Sequence, residues 1–152
     1  MIKYLLVVAC CLLSQPTWAA FLIDSPLSFG EIAIRNNNSV SSTTITRNGK
    51  QTSTNQIYVI KPGTPGVYTL NGMAAYTLVN LSVNLPAWSA MPYPSTAQFE
   101  ISAVDIPSVV NVNSSGAVQF RIGATLRTSG NPVFNYVSNA TYVVYLNLNL
   151  DY

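Results

Sequence analysis

Apolar and polar residues alternate with a period of two along much of the chain. The longest instance is Ala140 to Tyr152, where Tyr142, Val144, Leu146, Leu148, Leu150 and Tyr152 recur at every second position, with Asn147, Asn149 and Asp151 between them. That alternation marks a strand with one covered face. It predicts that the chain is organised around this last strand, which must be both paired and covered. A second long run places Thr77, Val79, Leu81, Val83 and Leu85 on one face and ends at Pro86. Further runs put Ala97, Phe99, Ile101 and Ala103, and then Val118, Phe120, Ile122, Ala124 and Leu126, on one face each. Shorter apolar stretches occur at Ile57 to Ile60, Val67 to Leu70 and Val109 to Val112.

The punctuation between these runs is that of turns. Asn48-Gly49 is the strongest two-residue hairpin signal, following a β-branched stretch from Thr43 to Arg47. Asn71-Gly72, Asn113 to Gly116 and Ser129 to Pro132 close other runs. In the N-terminal segment Phe21, Ile23, Leu27 and Phe29 are apolar. The frame shifts to Ile32 and Ile34 beyond Gly30, as expected of a bulge or a change of strand. Pro26 cannot donate to a ladder, which suits an edge strand or an extension. No window shows a sustained helical period, so the predicted fold class is all-β, with roughly eight antiparallel strands. One-faced strands must be covered by a second sheet or closed on themselves. The alternatives are a β-sandwich and a small outer-membrane barrel, and several strands are shorter than the roughly nine to eleven residues needed to cross a bilayer.

The N-terminal segment predicts export, and a weakly charged composition suits it. Met1 to Ala19 reads as a cleaved secretory signal: Lys3, then an apolar run from Tyr4 to Leu13, then a break at Gln15-Pro16. Thr17 and Ala19 supply the small residues before a cut that makes Ala20 the first mature residue, so the domain spans 20–152. Cys10 and Cys11 both fall in the leader, leaving the domain to be held by its core, a partner or a membrane. The formal net charge is +2, and one of the positive charges, Lys3, belongs to the leader. So weak a field excludes nucleic acid and acidic lipid as natural partners.

Candidate chemistry is sparse. Without histidine, and without cysteine beyond the leader, the domain cannot build a common zinc site, a Ser-His-Asp triad or a Cys-His pair. Glu100 and Asp105 are the one pair of acids close in sequence, and they are expected on opposite faces of their strand. The glycines lack the strand-to-helix context of a phosphate cradle. No enzyme activity, cofactor or metal is expected. Trp88 and Tyr93, on a loop rich in turn formers, are glycan-contact candidates if their rings are exposed, and otherwise pack that loop onto the fold.

Leu27-Ser28-Phe29-Gly30-Glu31-Ile32, the stretch from Gly72 to Pro86, the run from Gly116 to Leu126 and the closing Ala140-Thr141-Tyr142 together resemble the bacterial exported family called domain of unknown function 4402. The resemblance spans most of residues 20–152. The family usually has a second glycine where this chain has Ala124, and a glycine beside Tyr142. Its members are similar in size and pattern to immunoglobulin-like subunits of chaperone-usher fimbriae, although many of those contain a disulfide that this chain lacks. The resemblance implies an immunoglobulin-like sandwich whose N-terminal segment acts as a donor strand, with Phe21, Ile23, Leu27 and Phe29 filling a neighbour's groove.

The expected function is therefore that of an exported structural or adhesive subunit, passing through the periplasm to the cell surface. Its expected partners are further copies of itself or a periplasmic chaperone and usher. A barrel and a secreted sugar-binding module are the alternatives, and only the barrel would involve a membrane.

Overall fold

The computed structural model describes residues 19–152, so the leader expected over Met1 to Ala19 lies outside the described residues except for its last position. Twelve β-strands and no helix are found in that span. They are β1 (Ala20–Ser25), β2 (Glu31–Ile34), β3 (Ser42–Ile45), β4 (Gln51–Ser53), β5 (Ile57–Lys61), β6 (Gly66–Asn71), β7 (Leu78–Val83), β8 (Ala87–Trp88), β9 (Glu100–Asp105), β10 (Val109–Asn111), β11 (Val118–Arg127) and β12 (Leu148–Asp151). Every pairing is antiparallel. The count exceeds the expected eight because short strands such as β4 and β8, of three and two residues, are paired as well.

The organising strand is β11 rather than the last one. Over Val118 to Ile122 it pairs with β6, from Gly123 it pairs with β9, and over Ala124 to Arg127 it lies between β3 and β9. It can do this because Phe120, Ile122, Ala124 and Leu126 all face inward while Gln119, Arg121 and Arg127 face out. The outer strands then follow from β11. On one side the order runs β1-β6-β11, with β3-β4 beyond, and β8 joins through β9. A second layer has the order β10-β7-β12, and β2 pairs with β5 separately.

The core lies between the layers in two clusters. In the first, Leu70, Phe120 and Ile122 of the β6-β11 layer meet Val79, Leu81 and Val110 of the β7 layer. In the second, Phe99, Ile101, Ala124 and Leu126 gather the half-buried Leu27, Phe29, Ile32 and Ile34. This is the antiparallel two-layer sandwich that the alternating pattern predicts. A barrel would hydrogen-bond each strand on two sides, whereas β1, β4, β10 and β12 have one strand neighbour each.

Three sequence readings change. The alternation expected to continue to Ala103 breaks at Ser102, where the β9-β11 register slips: Ile101 and Val104 face the core, while Ala103 is exposed. This bulge also puts Glu100 and Asp105 on one face, not on opposite faces. They lie opposite Arg127 and Gly123, four steps apart on β11, about 13 Å, which is too far to flank one glycosidic bond. Finally, Ala140 to Tyr152 is not one continuous strand. Val144 makes a single bridge with Ser89, and regular pairing resumes only at Leu148 opposite Val83. The tail leaves the ladder between these points because it crosses from the second cluster, which receives Tyr142, Val144 and Leu146, to the first, which receives Leu148 and Leu150.

Candidate functional site

An open flank of the sandwich lies between β1 and β12. Each is an edge strand: β1 pairs only with β6, and β12 only with β7. An unpaired strand edge presents main-chain donors and acceptors to any extended segment that reaches it. Between the two edges runs a groove of about 660 Å³, with Phe21 on one side and Leu146, Leu148 and Leu150 on the other. A smaller recess of about 140 Å³ continues it, floored by Leu70 and Met73 and reaching Tyr152.

The sequence explains why this flank is open. The even-numbered residues of the tail point inward as the alternation predicts, yet Tyr142, Val144, Leu146, Leu148 and Leu150 are only half-buried and Tyr152 is exposed. A strand with a partner on one side alone cannot cover its own apolar face fully. The polar groups at the groove are amides. Asn149 donates through Nδ2 to Asn84 Oδ1 at 3.0 Å, and the Asn84 main-chain nitrogen donates to the Asn147 carbonyl at 3.2 Å. No carboxylate or amine lines the groove. Its chemistry is that of apolar contact plus main-chain hydrogen bonding, which suits an extended peptide and not a reaction.

The predicted donor residues divide into two pairs. Phe21 stacks on Tyr68 with ring centroids 5.5 Å apart and approaches Phe120 at 6.4 Å. Ile23 is 64% exposed. β1 is thus held mainly by its backbone ladder to β6, with a bulge at Asp24 whose carboxylate accepts from Thr69 Oγ1 at 2.6 Å and Gln119 Nε2 at 3.2 Å. Leu27 and Phe29, by contrast, pack against the second core cluster. Between them Ser28 bridges Thr64 through two main-chain bonds. Gly30 then turns the chain so close to Lys61 and Pro62 that a β-carbon would strike their backbone. Phe21 and Ile23 therefore stay partly exposed, whereas Leu27 and Phe29 are anchored.

The glycan-contact candidates are both exposed, and they lie on different elements. Trp88 is on β8 opposite Glu100 of β9, and Tyr93 is on the loop beyond it. Among the described residues, no group of three acidic, histidine or cysteine side chains is close enough to hold a metal ion.

Two polar arrangements that hold the loop between β11 and β12 were not legible in the sequence. Asn37, in the polar segment between β2 and β3, is buried and ties that segment to another loop. Its Nδ2 lies 2.8 Å from both Ser129 Oγ and the Asn131 carbonyl and 2.9 Å from the Phe134 carbonyl, and its Oδ1 accepts from Gly130 N at 3.0 Å. Tyr136 stacks on Phe99 at 4.3 Å, donates to the Gln98 carbonyl at 3.0 Å and accepts from Ser129 N at 2.9 Å. Burial pushes its hydroxyl pKa up, partly offset by the bond from Ser129. Together these contacts fix the long loop that delivers the tail to the groove.

Neither a curated protein nor a solved structure matches the chain significantly. The family model described as Domain of unknown function (DUF4402) matches residues 22–147, from the first strand at the groove to the start of the last, and the chain belongs to that family.

Proposed function

We propose that this protein is an exported structural or adhesive subunit of the cell surface, assembled by exchange of its N-terminal strand between copies. The observation behind this reading is the pair of one-sided strands, β1 and β12, flanking an apolar groove that has no reactive group. β1 suits release because its side chains stay largely exposed and its ladder to β6 is available to any equivalent strand. Release of β1 would open a slot bordered by β6 and β12 and lined by Tyr68, Leu70 and Leu150. The same segment of another copy matches it residue for residue, which is the condition for strand exchange. The signal-like leader supports export, and self-association or a periplasmic chaperone and usher would supply the incoming strand.

The test uses the register. Leu22 lies opposite Thr69, so a Leu22→Cys, Thr69→Cys variant, with Cys10 and Cys11 replaced by alanine, reports which chain provides β1. Exchange predicts covalent ladders on non-reducing gels that collapse on reduction. A disulfide confined to monomers would overturn the proposal.

A further inference from the structure

On the outer face of the sandwich the strand register assembles a row that the sequence does not display. Ser42 pairs with Arg127, Arg127 with Glu100 and Glu100 with Trp88. The bridge between Ser89 and Val144, together with the bond from Ala90 N to the Val143 carbonyl at 3.0 Å, places Tyr145 opposite Trp88. The neighbours of these residues, Thr43, Leu126, Ile101 and Ser89, are buried, and Val144 is half-buried. Successive residues on a strand face opposite ways. The side chains of Ser42, Arg127, Glu100, Trp88 and Tyr145 therefore share one outer row, roughly 19 Å long at the usual strand spacing.

The composition of this row is unusual for a solvated face. Trp88, on β8, is 52% exposed, and Tyr145, on the tail segment bridged to Ser89, is 84% exposed. The aromatic groups that pack together, Phe21 with Tyr68 and Phe120, and Phe99 with Tyr136 and Tyr142, include neither. Beside them stand a carboxylate and a guanidinium. The ion pairs among the described residues join Arg47 to Asp105 and Lys61 to Glu31, so Glu100 and Arg127 keep their hydrogen-bonding capacity for something else.

We infer that the row of Tyr145, Trp88, Glu100 and Arg127 is a binding site for a neutral pyranoside chain. A sugar ring presents an apolar C–H face to an aromatic surface and vicinal hydroxyls at its rim. Two exposed rings followed by a carboxylate acceptor and a guanidinium donor match that alternation along one line. The opposite charges of Glu100 and Arg127 cancel, so the ligand needs no net charge of its own. Tyr93 lies outside the row and has no part in it. The inference does not depend on strand exchange, since none of these four residues lines the groove.

Native gel electrophoresis of the full chain, through gels containing soluble β-1,4-glucan, β-1,3-glucan, xylan or mannan, tests it. At least one polysaccharide should retard the protein. Trp88→Ala and Tyr145→Ala should each weaken retardation about tenfold, Glu100→Gln less, and Tyr93→Ala not at all. Tyr145 is so exposed that its removal leaves the fold intact, which keeps the test decisive should Trp88→Ala disturb β8. In a Trp18→Phe background Trp88 is the sole tryptophan, and its emission should shift on titration with the retarding polysaccharide. Absence of retardation with all four polysaccharides, or equal retardation of the wild type and both aromatic variants, overturns the inference.

Discussion

Gly123 sits directly against Ile45: a β-carbon on Gly123 would collide with the Ile45 carbonyl oxygen and come within 2.6 Å of the Arg47 amide nitrogen. This is the point at which β11 passes from its pairing with β6 to its pairing with β3 and β9. Backbone, unlike the tip of a flexible side chain, cannot move aside cheaply. Gly123→Ala is expected to cost about 2–3 kcal/mol, which chemical denaturation would read as a lower midpoint at unchanged slope.

Removal of the Asn37 side chain should have a similar cost for a different reason. Alanine leaves the Asn131 and Phe134 carbonyls and the Gly130 amide without their partner, worth about 2 kcal/mol in total. Asn37→Asp should be worse despite equal size, because a carboxylate cannot donate to those two carbonyls. Faster amide exchange at Gly130 in the alanine variant, whose acceptor is gone, would locate the damage.

Much of this architecture is written locally in the chain. The Asn48-Gly49 hairpin forms where expected, with Gly49 at φ 86° and Ile45 opposite Gln51. The inward residues of β11, Phe120, Ile122, Ala124 and Leu126, are those the period-two pattern selects. What escaped the pattern is set by partners far away in sequence. The Ser102 bulge exists only against β11, and the bonds of Asn37 reach residues more than ninety positions on. The alternation from Ala140 to Tyr152 is real, but periodicity describes a face and not a neighbour. It could not reveal that the tail becomes an edge flanking a groove, nor that Tyr145 comes to stand opposite Trp88.

Tyr136 gives the protein an alkaline sensitivity of known sign. Its hydroxyl pKa is raised above the ordinary value of 10.0 by burial in the native state. Above that ordinary value the unfolded chain loses the proton before the folded one, so stability is complete below about pH 10 and declines as pH rises toward the native pKa. At neutral pH Tyr136→Phe should cost about 1 kcal/mol, because the Gln98 carbonyl and Ser129 amide lose a partner. The gap between variant and wild type should narrow above pH 10 in denaturation measured across that range.

β1 should be the first strand to open. Its side chains bury little and its ladder is one-sided, whereas β11 is flanked by partners and buried in both clusters. Native-state hydrogen exchange is expected to show amides of Phe21 to Ile23 exchanging at least a hundredfold faster than those of Ile122 to Leu126. Equal protection would mean that β1 is integral to the domain, which would also count against its exchange between copies.

Val104 touches both hydrophobic clusters, and β11 contributes its buried residues to both. Loosening either half removes packing from the other through a shared side chain and an unbroken backbone. The two halves are therefore bound to melt in a single cooperative transition, with calorimetric and van't Hoff enthalpies in agreement.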